Sequence, residues 1–354
     1  MWTHLLIFGT AMAVCCLLTP VCALVATRFG FIDQPSARKV HLRPTPRLGG
    51  LAIYAGVIAS VILLFTFEFG RQEPGMWAEL WGIVGGATVL VLVGLLDDRG
   101  LLHSLTKLVV GMPLAALILA LSGIRIKSLP FHFFGSEGLA EPVISLLLTT
   151  GWIIVITSAF SILDYMDGLC SGVAAVAAGF FLVCAALQGQ ILVGIMAAAV
   201  LGANLGFLVW NFSPARIFMG DSGPLFLGFL LAAIGIKLRF LGLSGLQSWT
   251  IPVLILAVPL FDAALVTVSR IRRGVNPLTT AGKDHSGHRL ADLGLGRRGA
   301  VVLIYTVTVA SGLLALLVPY LPFLQSQILF AAAVLAGIVG IVVLEHIFRL
   351  TQSH

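Results

Sequence analysis

The sequence predicts an all-α integral membrane protein of about eleven transmembrane helices, with cytoplasmic catalytic loops. Of its 354 residues, 59% are hydrophobic and only 10% are charged, whereas a soluble domain is usually near half apolar and about a quarter charged. The apolar residues also fall into runs that match the thickness of a bilayer. A lipid bilayer is therefore the expected solvent for most of the chain, which is interpreted as one domain over residues 1–354.

Eleven apolar runs are long enough to be candidate spans. The first has no Lys or Arg before it and a basic loop after it, which is the reverse of signal-peptide polarity. We therefore expect a retained helix with its N-terminus outside. Farther along the chain, only a Gln-Gly-Gln turn divides the sixth run from the seventh. The runs cover approximately residues 5–27, 49–66, 78–96, 104–122, 142–163, 172–188, 190–210, 222–240, 250–270, 300–320 and 326–348.

Charge supports this topology. With the N-terminus outside, sixteen of the 21 Lys and Arg residues fall in inner loops, as the positive-inside rule requires. This distribution explains the net charge of +6 without a nucleic-acid partner. All nine aspartates fall inside and five of the six glutamates outside, which favours a site that needs short carboxylates. The five cysteines have no regular spacing, so neither a disulfide framework nor a zinc site is indicated.

Three acidic motifs lie on the inner side. Asp97 and Asp98 end the third run, and two adjacent carboxylates at a helix end favour a bound cation over simple solvation. Asp164 and Asp167 are three apart and would share one face of a continuing helix. Asp221 precedes a new span, where backbone N–H groups favour phosphate oxygens, although an ordinary N-cap has the same pattern.

Two basic loops accompany these acids, one over residues 33–50 and one over residues 270–298. His285 and His288 could ligate zinc, but no third suitable ligand stands beside them, so hydrogen bonding to phosphate is preferred. Attraction to anionic lipid explains part of the basic charge. Carboxylates suit Mg²⁺ or Mn²⁺, and cations around them would neutralise a diphosphate. The combination predicts phosphoryl transfer.

The ordered motifs resemble those of the polyprenyl-phosphate N-acetylhexosamine-1-phosphate transferases. The resemblance extends from about residue 33 to residue 290. It includes the Arg-Lys-x-His and Thr-Pro-Arg-x-Gly-Gly segments, the paired aspartates, Asp-x-x-Asp-Gly, Asn-x-x-Pro-Ala-x-x-Phe-Met-Gly-Asp, Pro-Leu-Phe-Asp and the histidine loop. The resemblance implies transfer of a HexNAc-1-phosphate, with GlcNAc-1-phosphate preferred, from a UDP-N-acetylhexosamine to polyprenyl phosphate with release of UMP.

The resemblance also implies roles for individual residues. Asp98 and Asp221 would hold Mg²⁺, for which Mn²⁺ could substitute, and Asp97, Asp98 and His285 would be catalytic. The nucleotide and sugar would meet Asp164, Asp167, Asn211, Phe218 and His288, with Phe218 stacked on uracil. The substrate phosphate and the lipid phosphate would meet Arg38, Lys39, His41, Arg47 and Lys107.

Departures from the family pattern lie in the predicted sugar and nucleotide pocket. Serines replace asparagines at 158 and 161, Tyr165 stands where Gly or Asn is common, Gly287 replaces a histidine, and Pro224 replaces a serine. A different UDP-amino sugar or UDP-MurNAc-pentapeptide is therefore an alternative substrate, and a polytopic transporter is the alternative from another class. The expected location is the bacterial cytoplasmic membrane with the site facing the cytoplasm, and the chain is compatible with a homodimer.

Overall fold

The computed structural model describes residues 2–34, 44–67, 75–103, 105–126, 140–277, 280 and 282–352. Helices dominate it, as predicted, and one antiparallel pair of two-residue strands, β1 (Ile32–Asp33) and β2 (Thr45–Pro46), was not predicted. The helices are α1 (Trp2–Phe29), α2 (Gly49–Phe67), α3 (Met76–Asp98), α4 (Met112–Leu121), α5 (Ala140–Leu163), α6 (Leu169–Leu187), α7 (Ile191–Asn211), α8 (Ser222–Lys237), α9 (Gly245–Ile255), α10 (Ala257–Arg272), α11 (Ser286–Leu290), α12 (Gly296–Leu317) and α13 (Phe323–Gln352). Short π-helical turns, Lys107–Gly111 and Ala291–Leu295, precede α4 and α12, and a 3-10 turn, Val318–Tyr320, follows α12.

Helices correspond to all eleven predicted runs, but not all of them are long. Within the described residues, seven helical segments are long and apolar enough to cross a membrane, or eight if the bent pair α9–α10 is one span. Three shorter apolar helices cover the predicted runs that begin near residues 49, 104 and 222. The chain is thus a multi-pass membrane protein, and its eleven crossings remain a prediction. The turn near Gly189 does separate two helices, α6 and α7, as predicted.

Two local predictions were wrong. The run over 250–270 is not one straight helix, because α9 and α10 meet at an angle of 75°. Pro252 and Pro259 flank the bend, and each lacks the N–H that a continuous helix would use. Asp164 and Asp167 do not lie on a continuing helix either, since α5 ends at Leu163. They lie in the turn before α6, where Gly168 takes the positive φ of 75° expected of a chain reversal.

The buried centre of the bundle consists of α7 and α8. Helix α7 packs against α1, α2 and α6, and α8 packs against α3 and α5. Almost every residue of α8 is buried, whereas no residue in the most apolar stretch of α13 is buried. The C-terminal ends of α3, α5 and α7 and the N-terminal ends of α2, α6 and α8 meet at one end of the bundle. Asp97, Asp98, Asn211 and Asp221 lie at these ends, and Asp164 and Asp167 lie in the turn between α5 and α6.

Candidate active site

The centre of the site is the contact between the end of α3 and the start of α8. The Asp221 backbone N–H lies 3.1 Å from each carboxylate oxygen of Asp98. Gly94 permits this approach, because a Cβ on Gly94 would lie 2.3 Å from Ser222 Cα. The Asp98 side chain is buried, whereas 40% of the Asp221 side-chain surface is exposed; the accessible space beside the Asp221 carboxylate is called the cleft. Asp98 therefore fixes the position of Asp221, and Asp221 presents its carboxylate to the cleft.

Lys107 connects these acids with Asp97. Its Nζ lies 2.6 Å from Asp97 Oδ2 and 3.9 Å from Asp221 Oδ2. Burial raises the pKa of Asp221 to about 6. The charge of Lys107 lowers this pKa and the neighbouring Asp97 raises it, so these two effects oppose each other. Three carboxylates and one ammonium group thus share a small volume at the C-terminal end of α3.

Arg47 is held over the same carboxylates by the first basic loop. Phe218 N donates to Pro46 O at 2.8 Å, and Gly49 N donates to Phe218 O at 3.0 Å, so the two loops run side by side. The Arg47 guanidinium donates to the Asp98 backbone O at 2.8 Å, and its Nε lies 3.8 Å from Asp98 Oδ1. The predicted residues Arg38, Lys39 and His41 belong to this loop but lie outside the described residues.

The turn between α5 and α6 forms the adjacent wall. Asp167 Oδ2 accepts from Ala215 N at 3.0 Å, and buried Asn211 accepts from Gly168 N at 3.0 Å and donates to Ile217 O at 2.9 Å. Both polar groups of the Asn211 amide are therefore used within the protein. The geometry gives Asn211 the task of joining two loops, and its predicted contact with the nucleotide stays a prediction.

Asp164 faces the same cleft. Its accessible surface is intermediate, but protein atoms replace most of the water around the carboxyl group. This burial, followed by the charges of Asp221, Asp98 and Asp167, raises the pKa of Asp164 to about 7. A carboxyl group with this pKa exchanges protons near neutral pH.

A second cluster surrounds His285 at the start of α11. Asp262, which is fully buried in α10, accepts from Ser286 N at 2.8 Å, and its Oδ2 lies 3.0 Å from His285 Nδ1. Tyr165 contacts both members of this pair, since its hydroxyl donates to Asp262 Oδ1 at 3.3 Å and its ring stacks on His285 with centroids 4.1 Å apart. Burial and the Asp262 carboxylate raise the pKa of Tyr165 well above its usual range, so the hydroxyl remains protonated.

Ion pairs attach this histidine loop to the bundle. Arg270 Nε and Nη2 bind the two oxygens of Asp284 at 3.0 and 3.2 Å. Arg289 donates to the Asp284 backbone O at 2.9 Å and pairs with Glu345 of α13 at 2.9 Å, both side chains being buried. The loop is thereby fixed to α10 on one side and to α13 on the other.

The structure thus groups the predicted residues in two neighbouring clusters. No role was assigned to Asp262, Tyr165 or Glu345 from the sequence. A charged residue inside an apolar run is itself a signal, because it needs a partner in the bilayer, and Asp262 and Glu345 both carry that signal. No signal in the sequence identifies Tyr165 as a neighbour of Asp262.

Comparison with known proteins gives independent evidence on the family to which the chain is related. A family model described as glycosyl transferase family 4 matches residues 80–239. A probable undecaprenyl-phosphate N-acetylglucosaminyl 1-phosphate transferase of Bacillus subtilis is 34% identical over 82% of this chain and 78% of its own length. A decaprenyl-phosphate N-acetylglucosaminephosphotransferase of Mycolicibacterium smegmatis is 33% identical over 80% and 74%. An undecaprenyl-phosphate alpha-N-acetylglucosaminyl 1-phosphate transferase of Yersinia pestis is 28% identical over 83% and 77%.

Proposed function

Because the chain belongs to glycosyl transferase family 4, the polyprenyl-phosphate N-acetylhexosamine-1-phosphate transferases, we propose that it transfers GlcNAc-1-phosphate from a UDP-sugar to polyprenyl phosphate. UMP is the second product, and the lipid-linked sugar begins a cell-envelope polysaccharide. Relatives that are named as acting on undecaprenyl phosphate and decaprenyl phosphate support the acceptor. Family membership favours this transferase over the transporter considered as an alternative.

One observation carries the proposal. Asp97, Asp98 and Asp221 meet beside Lys107 and Arg47 at one end of the bundle, next to the partly open cleft that Asp164 faces. Phosphoryl transfer needs positioning and charge stabilisation more than covalent participation of the protein. A cluster that combines hard oxygen ligands with fixed cations provides both.

The donor set fits Mg²⁺, with Mn²⁺ as a substitute. Among the described residues, no group of three or more His, Cys, Asp or Glu side chains is arranged so that protein ligands alone could hold a metal ion. An open site suits this ion, because Mg²⁺ usually takes one or two carboxylates and completes its shell with water and substrate phosphate. Asp221, with its exposed carboxylate, and the adjacent Asp98 would hold it. When bound, it would supply charge neutralisation at the diphosphate.

The protein groups would then act on the reacting phosphates. An oxygen of the lipid phosphate attacks the sugar-bound phosphorus, the bond from this phosphorus to the bridging oxygen breaks, and UMP leaves with that oxygen. Lys107 and Arg47 stabilise the charge on the phosphates. Asp97, paired with Lys107 at 2.6 Å, orients the lipid phosphate or takes its proton. His285, oriented by Asp262, donates a hydrogen bond to the phosphate of the leaving UMP.

The site is proposed to face the cytoplasm of a bacterial inner membrane. The end of the bundle that carries the acids also carries Arg47, Lys107, Arg270 and Arg273, and this excess of basic charge is typical of cytoplasmic loops. This orientation gives the soluble UDP-sugar access to the cleft, while the polyprenyl chain of the acceptor stays in the bilayer. The segment with Arg38, Lys39 and His41 would add phosphate contacts.

Turnover by purified protein tests the proposal. The protein in detergent is given Mg²⁺, polyprenyl phosphate and a panel of UDP-sugars that includes UDP-GlcNAc, and UMP release is measured. EDTA should abolish the release and Mg²⁺ restore it. Asp221→Asn should lower kcat by about 10²–10³-fold, the usual loss for one charge-stabilising group. Glu79→Gln, at the opposite end of the same α3 helix, should retain turnover per folded molecule. No UMP release from folded protein with any UDP-sugar would refute the proposal.

A further inference from the structure

The Tyr165 side chain joins the two halves of the site. Its hydroxyl accepts from Gly287 N at 2.9 Å, donates to Asp262 Oδ1 at 3.3 Å and lies 3.4 Å from Ser286 Oγ. The residue belongs to the turn between α5 and α6, whereas the other three belong to α10 and α11. One side chain thus connects the turn that carries Asp164 with the loop that carries the histidines.

The Tyr165 ring also orients both histidines. It stacks on His285 with an interplanar angle of 27° and centroids 4.1 Å apart, and its centroid lies 5.0 Å from that of His288. His285 is also held by a hydrogen bond between its Nδ1 and Asp262 Oδ2, at 3.0 Å. Because the hydrogen bond fixes one edge of the imidazole and the stack fixes its face, the orientation of Nε2 is determined.

Gly287 makes room for this arrangement. A Cβ on Gly287 would lie 2.8 Å from Met166 Sδ, 2.9 Å from the Tyr165 hydroxyl oxygen and 3.0 Å from Tyr165 Cε2. The backbone of Gly287 does not have a positive φ, so the need for glycine comes from the space that the side chains of Tyr165 and Met166 occupy. Residues 165 and 287 therefore depend on each other, although 122 positions separate them in sequence.

We propose that Tyr165 is a positioning residue that holds the Asp262–His285 pair at the edge of the cleft. Glycine is required at position 287 because a larger side chain there would displace the Tyr165 ring. The proposal rests on the transferase function, in which His285 contacts the phosphate. Tyr165 does not touch the reacting atoms. Its loss should leave the substrates bound and the imidazole misaligned.

Kinetics of four variants test this role: Tyr165→Phe, Gly287→Ala, Tyr165→Ala and the double variant that combines Tyr165→Ala with Gly287→Ala. Tyr165→Phe keeps the ring and removes the hydroxyl, and it should lower kcat by about tenfold or more with KM for the UDP-sugar changed less than about twofold, the pattern of an interaction made in the transition state. Gly287→Ala, which forces the ring aside, should have a similar effect. Adding Gly287→Ala to Tyr165→Ala should lower kcat little further, because the effects of substitutions at two residues in contact are not additive.

Tyr54→Phe is the matched control, because Tyr54, like Tyr165, is a partly buried tyrosine with a hydrogen-bonded hydroxyl. The Tyr54 hydroxyl lies 2.9 Å from Thr88 Oγ1. The control variant should keep the wild-type kcat. Melting temperatures separate positioning from stability: a Tyr165→Phe protein with lower stability and normal kcat per folded molecule would overturn the proposal. Multiplicative losses in the double variant would overturn it as well.

A second measurement does not depend on turnover. Diethyl pyrocarbonate modification of His285, followed by peptide mass spectrometry, reports how tightly the imidazole is held. Tyr165→Ala should react at least about fivefold faster than wild type, because removal of the stacked ring exposes the imidazole face, and Tyr54→Phe should react at the wild-type rate. Equal rates in wild type and Tyr165→Ala would reject the role of Tyr165. Absence of UMP release by the wild type would instead reject the transferase, and the two failures are thus distinguishable.

Discussion

The contact between α3 and α8 makes a quantitative prediction for Gly94→Ala. The added Cβ would lie 2.3 Å from Ser222 Cα and 2.4 Å from Ser222 N, whereas carbon atoms in favourable contact are about 3.5–4.0 Å apart. The start of α8 must therefore withdraw by about 1.2 Å or more. The Asp221 N–H would then lie beyond hydrogen-bonding distance of Asp98, which it now contacts at 3.1 Å. A 1 Å displacement at a reacting centre costs about 10²-fold in rate.

The assay is UMP release by purified Gly94→Ala protein, with a melting curve beside it. We expect kcat to fall about 100-fold, and overpacking to lower the free energy of unfolding by about 1–3 kcal/mol. Gly85→Ala is the matched control on the same helix, because its Cβ would meet only Ile118 Cγ2 at 3.4 Å, and it should remain close to wild type in both measurements. A folded Gly94→Ala protein with wild-type kcat would refute the claim that the α3–α8 contact sets the position of Asp221.

Three further predictions follow from the fold and the site. Glu345→Gln leaves its buried arginine partner without a counter-charge and should lower the free energy of unfolding by about 3–5 kcal/mol, while His346→Gln, at an exposed neighbour, should not; equal melting temperatures would contradict this. In a cysteine-free background, Val275→Cys should react with an impermeant thiol reagent only in opened cells and Leu241→Cys in intact cells, and the reverse pattern would invert the topology. If Phe218 stacks on uracil, Phe218→Ala should weaken UDP binding by about 1–2 kcal/mol in calorimetry, whereas a folded variant with unchanged affinity would exclude the stack.

The helices and the first acidic cluster could be predicted from the sequence because each depends on local information. Apolar run length identifies a helix, and a carboxylate at the end of a run identifies a membrane boundary. Asp97 and Asp98 end α3, and Asp221 precedes α8, as expected. Since successive helices alternate in direction, residues at the ends of α3 and α7 and at the start of α8 must lie on the same side. Their convergence follows from topology without knowledge of packing.

The second cluster could not be predicted in the same way, because its contacts join positions far apart in the chain. Asp262 is 23 residues from His285 and 97 from Tyr165. Neither separation corresponds to a helical period, and no local preference brings these residues together. The 75° bend between α9 and α10 was missed for a related reason. Two prolines permit a bend in an apolar run, but only tertiary packing decides whether the helix breaks there.

The C-terminal helix α13 shows how local composition and contacts between distant residues combine. By composition it is one more apolar span, and its most apolar stretch is exposed on the outside of the bundle. Near its end, however, Glu345 is buried against Arg289, and the Phe348 ring lies 4.3 Å from the guanidinium. Arg289 in turn donates to the backbone of Asp284, next to His285. A helix with no residue in the cleft is therefore connected through three consecutive contacts to the imidazole that Tyr165 holds from the other side. The conformation of the histidine loop is therefore held from both directions, by α13 through Arg289 and by the turn after α5 through Tyr165.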